Sequence, residues 1–138
     1  PKHQKVPAWI GLDDKSSAAF IAGYTDAEGN FLLNQTRARF KIDSYDSGVL
    51  KWMERKLIKW GILVRIRCIA SKGSLAADGS RFKYDLWRIN INQAVSLLNF
   101  IKRIKVFAKH EMRIQQMNTC IINIKERIKK GSIKYAKI

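Results

Sequence analysis

Two carboxylates, Asp26 and Glu28, lie at the end of a segment that the sequence predicts to be a helix. Ser16 and Ser17 offer N-caps at its start, and Gly29 offers a stop at its end. An acid at the C-terminal end of a helix is unfavourable, because the helix dipole prefers cations there. Glu28 therefore needs a compensating partner, and a bound divalent cation is a suitable one. The pattern alone leaves open a plain core helix that Gly29 caps.

The same predicted helix has one face that is almost bare of side chains. Its members recur at i, i+3, i+4 and i+7, and they are Ala19, Ala22, Gly23 and Asp26. The bulky residues Phe20, Ile21 and Tyr24 lie on the opposite side. We therefore expect this helix to pack on its own core and to let a second backbone approach its bare face.

The chain is strongly basic, and the excess of cations follows the predicted helix. Its 138 residues contain 27 Lys and Arg against 11 Asp and Glu, a formal net charge of +16. Residues 1–30 carry three basic and four acidic side chains, so residues 31–138 carry the other 24 basic and seven acidic ones. Such a balance indicates a polyanionic partner, of which nucleic acid is the commonest. A membrane surface fits less well, since no long apolar run or basic amphipathic anchor is present.

The length suits one domain, residues 1–138, with an N-terminal tail at 1–15 and a basic C-terminal tail at 129–138. Val6, Trp9 and Ile10 are candidate anchors of the first tail. After the first helix, residue periodicity predicts a hairpin over Phe31–Asp43, broken at Asn34–Thr36, and then a helix over Val49–Trp60. Two further strands are predicted over Ile62–Ala70 and Arg81–Ile91, with a flexible polar loop over Ser71–Ser80 between them. The chain is then predicted to continue with helices over Gln93–Ile104 and Phe107–Lys130.

The predicted strands have strongly basic faces. In the second strand of the hairpin, Arg37, Arg39 and Lys41 alternate with apolar residues, and Arg65 and Arg67 repeat the pattern in the next strand. Several cations in a row are unfavourable unless something negative covers them, which favours contact with DNA. The full set that we expect to contact DNA is Asn34, Arg37, Arg39, Lys41, Arg65, Arg67, Lys72, Arg81, Lys83, Asp85 and Arg88. The last strand has mixed faces, so either its two ends face different environments or a bulge shifts its register.

The segment Ile21–Gly29, which reads I-A-G-Y-T-D-A-E-G, resembles the LAGLIDADG motif of homing endonucleases. Ile21 replaces the motif's first leucine, and Tyr24 and Thr25 replace its central hydrophobic pair. The predicted element order agrees with the family over nearly the whole chain after Lys15. The resemblance implies an α+β fold, an αββαββα core whose four-stranded antiparallel, saddle-shaped sheet lies in the DNA major groove, with the helices on one face.

The resemblance also implies the chemistry of a nuclease. Glu28, at the family's last acidic position, would hold Mg²⁺ or another divalent cation such as Mn²⁺, with Gly29 beside it as the second metal-site residue. The family uses a lysine ahead of the last helix, and Lys109 and Lys105 both fit that location. Lys109 is preferred, because it stands where the helix opens.

Cutting both strands of DNA with one motif per chain implies a homodimer with two-fold symmetry. The family packs its motif helices together, which assigns the bare face, Ala19, Ala22, Gly23 and Asp26, to the dimer interface. Ser44 or Asp43, after the second strand, stands where the family positions a water. The implied protein binds a long pseudo-palindromic DNA site and hydrolyses one phosphodiester in each strand.

Three other functions remain open at this point. An intron RNA maturase and a non-cleaving DNA-binding protein are both possible on the same fold, and a basic ribosomal protein is a third class that the core-rich pattern disfavours. Cys68 and Cys120 match no metal spacing, so we expect free thiols that pack as small apolar residues in an intracellular, reducing compartment. His3 and His110 give no zinc site.

Overall fold

Four helices and a four-stranded antiparallel sheet make up residues 6–133, which are the residues that this computed structural model describes. The helices are α1 (Asp14–Glu28), α2 (Ser47–Lys59), α3 (Ala94–Ile104) and α4 (Glu111–Lys129), and the strands are β1 (Gly29–Asn34), β2 (Arg37–Ser44), β3 (Arg65–Ala70) and β4 (Leu86–Ile91). Short 3₁₀ turns occupy Ala8–Leu12 and Lys105–Phe107. The predicted α+β order of elements is confirmed.

The sheet has the strand order β1-β2-β4-β3, with every neighbouring pair antiparallel. Alternate residues of β2 are buried, beginning with Ala38, Phe40 and Ile42, and the helices cover this side. The opposite side of β2 stays open, as its period of two predicted. Within residues 6–133 no helix combines the length and the apolar character that crossing a membrane would need.

Aromatic packing joins the hairpin to the helical layer. The ring of Phe40 lies 4.6 Å from that of Phe31 and 4.7 Å from that of Phe100, measured between ring centroids. All three are buried, together with the inward stripes of α2 and α3. Such contacts between strand and helix hold β1 and β2 rigidly against the core, which fixes the start of β1 beside the end of α1.

Residues 6–15, the described part of the predicted N-terminal tail, contain a 3₁₀ turn and the start of α1. The 3₁₀ turn over Ala8–Leu12 buries Ile10, whose carbonyl accepts a hydrogen bond from the buried Ser17 hydroxyl. Trp9 is exposed and is therefore not the anchor we predicted. Asp13, rather than a serine, caps α1, because its carboxylate accepts from the Ser16 amide at 2.7 Å.

The predicted loop Ser71–Ser80 does lie between two strands, but it extends to residue 85, so the predicted start of the last strand at Arg81 is wrong. β4 begins at Leu86. Residues 71–85 form a segment that we call the arm, whose two sides are joined by main-chain hydrogen bonds. Gly73 donates to the carbonyl of Phe82, and Phe82 donates to that of Ser74. Arg81, Lys83 and Asp85 therefore belong to the arm, which explains why the strand's faces looked mixed.

The last helix starts later than predicted, because a 3₁₀ turn and a short extended stretch come before it. His110 caps α4 by accepting from the Arg113 amide at 3.4 Å. The buried stripe of α4 contains Met117, Cys120 and Ile124. The helix ends at Lys129, inside the predicted basic tail, and residues 134–138 of that tail lie outside the described part of the chain.

Candidate nucleic-acid interface and active site

The open side of the sheet collects most of its cations, as the strand patterns predicted. Across the sheet, Lys41 pairs with Asn90 and Asn90 with Arg65, so these three side chains form one row. The six basic residues of this face are Arg37, Arg39 and Lys41 on β2, Arg65 and Arg67 on β3, and Arg88 on β4. We call this surface the basic sheet face.

One acid interrupts the basic sheet face. Asp43 pairs across the strands with Arg88, and the Arg88 guanidinium donates to it twice, from Nε at 2.6 Å and from Nη2 at 2.9 Å. The hydrogen bonds from Arg88 hold the pKa of the Asp43 carboxyl below its usual value. Arg88 thus keeps its predicted face but shares its guanidinium with Asp43, which leaves less of its charge for a ligand.

The remaining predicted DNA contacts lie at the ends of the sheet. Asn34 closes the β1–β2 hairpin opposite Arg37, and the two loop residues after it have φ of 51° and 64°, which matches a type I′ turn. Lys72, Arg81, Lys83 and Asp85 lie in the arm. Two of them have structural roles there: the Asp85 carboxylate accepts from the Lys72 amide at 2.7 Å, and the Arg81 guanidinium donates to the Gly73 carbonyl at 2.9 Å.

An open cavity of about 380 Å³ lies at the C-terminal end of α1, next to the basic sheet face. Its lining comes from the helix end, both hairpin strands and the first turn of α4: Glu28, Gly29, Asn30, Lys41, Asp43 and Arg113. The structure therefore brings both predicted metal-site residues together with two cations. Sequence reasoning missed Arg113 and Asn30 entirely. The parity of β1 would have found Asn30, but nothing in the sequence pointed to Arg113.

Gly29 connects α1 to β1 without any intervening loop. It has φ −77° and ψ 155°, so it is extended and is not the left-handed cap that a helix-ending glycine suggests. Its small size is needed for another reason. A Cβ at this position would lie 2.7 Å from both Cγ2 and the carbonyl oxygen of Thr25, and 3.1 Å from the Phe40 ring. This close approach fixes the direction in which Glu28 leaves the helix.

The two predicted lysines are not among the residues that line the Glu28 cavity. The Lys109 amide donates to Oδ2 of Asp26 at 2.8 Å, which anchors the segment before α4 to the end of α1 and leaves the Lys109 side chain exposed near it. Lys105 instead lines a different groove, between α3 and α4, with Lys102 and Lys125. Glu28 is not among the residues that line this groove.

Of the two residues predicted to position a water, Asp43 lines the cavity and Ser44 does not. Ser44 is buried, its hydroxyl lies 2.8 Å from the Tyr24 hydroxyl, and it accepts from the Asp46 amide at 3.0 Å. Burial raises the pKa of Tyr24, so this phenol stays protonated and can donate. Tyr24, which replaces one of the motif's two central hydrophobic residues, is therefore explained by the hydrogen bond between its hydroxyl and Ser44 on β2.

No protein-family model and no curated protein matches the sequence. Solved structures do match the fold. The homing endonuclease I-CvuI, in complex with the I-CreI target in the presence of 2 mM Mg, has a TM-score of 0.56 and 14% identity over 81% of this chain and 68% of that one. The complex of I-CvuI with its own target, in the presence of 2 mM Ca, has a TM-score of 0.55 and 14% identity over 86% and 71%.

The chain has the LAGLIDADG homing-endonuclease fold. The segment Ile21–Gly29, which resembles the family's motif, spans the end of α1 and the first residue of β1, and its Glu28 lies at the cavity. In the two matched structures the endonuclease is bound to a DNA target.

The exposed face of α1 differs from the face that the sequence predicted. Ala22 is fully buried in the chain's own core, so its assignment to a dimer interface is wrong. The small residues that face outward are instead Ala19, Gly23 and Ala27, at i, i+4 and i+8. A Cβ at Gly23 would meet no atom within 4 Å. Asp26 is partly buried and is bonded to the Lys109 amide.

The donor set of the Glu28 cavity suits Mg²⁺. Glu28 is exposed, whereas the Asp43 carboxylate is bound by Arg88. Within residues 6–133, no three His, Cys, Asp or Glu side chains come together in a group that could hold a metal ion. Mg²⁺ commonly uses one or two carboxylates, keeps several waters and takes the rest of its oxygen ligands from phosphate groups. One exposed carboxylate beside a basic surface fits that pattern.

Proposed function

We propose that this protein is a site-specific, divalent-metal-dependent endonuclease of double-stranded DNA that acts as a homodimer. The observation that carries the proposal is the cavity at the end of α1. There the Glu28 carboxylate and two cations, Lys41 and Arg113, border the same space, directly beside the basic sheet face. A phosphodiester that crosses this edge would meet both a metal ligand and positive charge.

DNA binding rests on the basic sheet face. Lys41 belongs to both the face and the cavity, so a backbone held along the sheet reaches Glu28 without leaving the surface. Arginines such as Arg65 and Arg67 can donate to base edges in the major groove, where their planar fork matches guanine. Contacts to phosphates give affinity and orientation, and contacts to base edges give sequence preference.

The chemistry divides between the metal site and the cations. Glu28 would hold Mg²⁺ or Mn²⁺, with Gly29 adjacent, and the ion when bound activates a water and stabilises the departing oxygen. Lys41 and Arg113 bind the non-bridging oxygens and stabilise the negative charge that develops at phosphorus. Lys109 is exposed and its amide is bonded to Asp26 near the end of α1, so its ammonium would be available to the same phosphate. Asp43 orients Arg88 rather than binding the metal.

The dimer would form through the exposed face of α1. Ala19, Gly23 and Ala27 allow two helices to approach closely, because small residues bring backbones near each other. A two-fold axis beside α1 would bring two copies of Glu28 near each other, one for each DNA strand.

Cys68 is an exposed free thiol and Cys120 a buried one, in keeping with an intracellular, reducing compartment, which we also propose.

The test begins with selection of bound duplexes from a randomised DNA library in Ca²⁺, followed by cleavage of the selected sequence in Mg²⁺. Wild type should cut both strands. Glu28→Gln keeps the size but removes the charge, so binding in the absence of metal should persist while cleavage falls by at least about 100-fold. Glu54→Gln is the matched control, because Glu54 lies on α2 and does not line the cavity.

Each outcome separates the functions that the sequence left open. Wild-type cleavage by Glu28→Gln would remove Glu28 from the mechanism. A wild type that selects a duplex but never cuts it would indicate a non-cleaving DNA-binding protein. A wild type that selects no duplex but binds a structured intron RNA would indicate a maturase.

A further inference from the structure

Three arginines come together where α4 crosses the start of β2. Arg37 and Arg39 lie on β2, and Arg127 lies in the last turn of α4. Burial, and then the charges of Arg37 and Arg39, lower the pKa of Arg127. Arginine nevertheless stays protonated in proteins, so three positive charges share this corner of the molecule.

The position of Arg127 is fixed by the residue one helical turn before it. The Asn123 side chain donates from Nδ2 to the Thr36 carbonyl at 2.7 Å and accepts from the Ala38 amide at 3.1 Å. These bonds hold α4 against the hairpin at a place where β2 extends beyond the end of β4, since β2–β4 pairing begins at Phe40. Residues four apart lie on the same side of a helix, so Arg127 lies next to this junction.

Arg127 lacks the partner that its burial calls for. Its Nη1 is buried and has no hydrogen-bond acceptor within the described residues. No acidic side chain among residues 6–133 accepts a hydrogen bond from this Nη1. A buried donor without an acceptor costs about 1–3 kcal/mol, and more when it is charged. Arg39 is tied differently, because it donates to the Asn92 carbonyl at 2.7 Å.

We propose that Arg127, with Arg37 and Arg39, forms a phosphate-binding site for the nucleic-acid backbone on the α4 side of the hairpin. A non-bridging oxygen of one phosphodiester would accept from the buried Arg127 donor and offset the charge of all three guanidinium groups. The site rests on the proposed binding of DNA and extends it beyond the basic sheet face to α4. It reads no bases, so it positions the duplex without adding sequence preference.

The experiment compares Arg127→Gln with wild type in equilibrium binding of a selected duplex between about 50 and 200 mM salt, in Ca²⁺. Loss of one phosphate contact should reduce the log–log salt slope by about one and weaken all sequences alike. Lys125→Gln is the matched control: it removes one charge from the same helix, but Lys125 faces the groove between α3 and α4. Its slope should equal that of wild type.

Arg127→Lys and a stability measurement distinguish phosphate binding by Arg127 from a purely structural role of this residue. Arg127→Lys keeps the charge, so it should retain most of the salt slope. Arg127→Gln removes a charge without a partner, so the free protein should be at least as stable to urea as wild type. An unchanged slope in a folded Arg127→Gln, or a slope lost equally in Lys125→Gln, would overturn the site.

If wild type selects no duplex, the proposed function fails, but the phosphate-binding site at Arg127 can still be tested with pyrophosphate as the ligand. Pyrophosphate should raise the melting temperature of wild type and Lys125→Gln more than that of Arg127→Gln. Equal shifts in all three proteins would reject the site independently of DNA.

Discussion

Gly29→Ala should destabilise the fold more than its single added methyl suggests. The new Cβ would lie 2.7 Å from the Thr25 carbonyl oxygen and 2.7 Å from its Cγ2, where ordinary contact begins at 3.4 Å. Overpacking of this kind costs about 1–3 kcal/mol. The carbonyl cannot retreat freely, because it accepts the hydrogen bond from the Gly29 amide, a loss of about another 1 kcal/mol. We expect a total of about 2–4 kcal/mol, or a fall of roughly 1–2 M in the urea midpoint.

Gly23→Ala is the matched control for this prediction, since it adds the same methyl to the same helix. Nothing lies within 4 Å of a Cβ at Gly23, so the substitution should stabilise the monomer by about 0.5–1 kcal/mol through helix propensity alone. Both unfolding curves are measured at two protein concentrations, which separates monomer stability from self-association. A Gly29→Ala protein as stable as wild type would refute the account of why α1 passes directly into β1.

Three further predictions follow from other contacts. The Asp43–Arg88 pair should stabilise the fold fully above the ordinary aspartate pKa of 3.8, and this contribution should be lost as pH falls through the depressed pKa of Asp43. In Asp43→Asn, the free energy of unfolding measured in urea should therefore fall less steeply as the solution is acidified. Asn123→Ala should cost about 1–2 kcal/mol and speed hydrogen exchange at the Ala38 amide, because that amide loses its acceptor; unchanged exchange would contradict this. Gly23→Leu should convert the proposed dimer to a folded monomer in equilibrium sedimentation, and an intact dimer would exclude this face of α1.

The sheet was predictable because a one-sided helical layer imposes a simple rule on each strand. Burial alternates with a period of two, so Ala38, Phe40 and Ile42 had to face the helices and the arginines between them had to face outward. That rule holds only where a strand pairs regularly. In residues 71–85 the main chain pairs irregularly around Gly73 and Gly79, which both have φ of 87°, and no side-chain period reveals such pairing.

The candidate site was predictable only for the residues that the motif itself contains. Glu28 was found because an acid at the negative end of a helix needs an explanation. Arg113 reaches the same cavity from the first turn of α4, so its role depends on how α4 is anchored at the other end of the chain. The Lys109 amide on Asp26 and the Asn123 amide on the hairpin provide that anchorage. Neither contact has a periodic or compositional trace in the sequence.

The small residues of α1 show why a pattern can predict close approach without predicting the neighbour. Ala22, Gly23 and Gly29 looked alike in the sequence, since each leaves room for another group. In the structure Ala22 makes room for the chain's own core, and Gly29 makes room for Thr25 and Phe40. Only Gly23 faces outward with nothing near its missing side chain. A glycine in a helix interior costs stability, and the open space beside Gly23 is what the proposed dimer would fill with a second copy of α1.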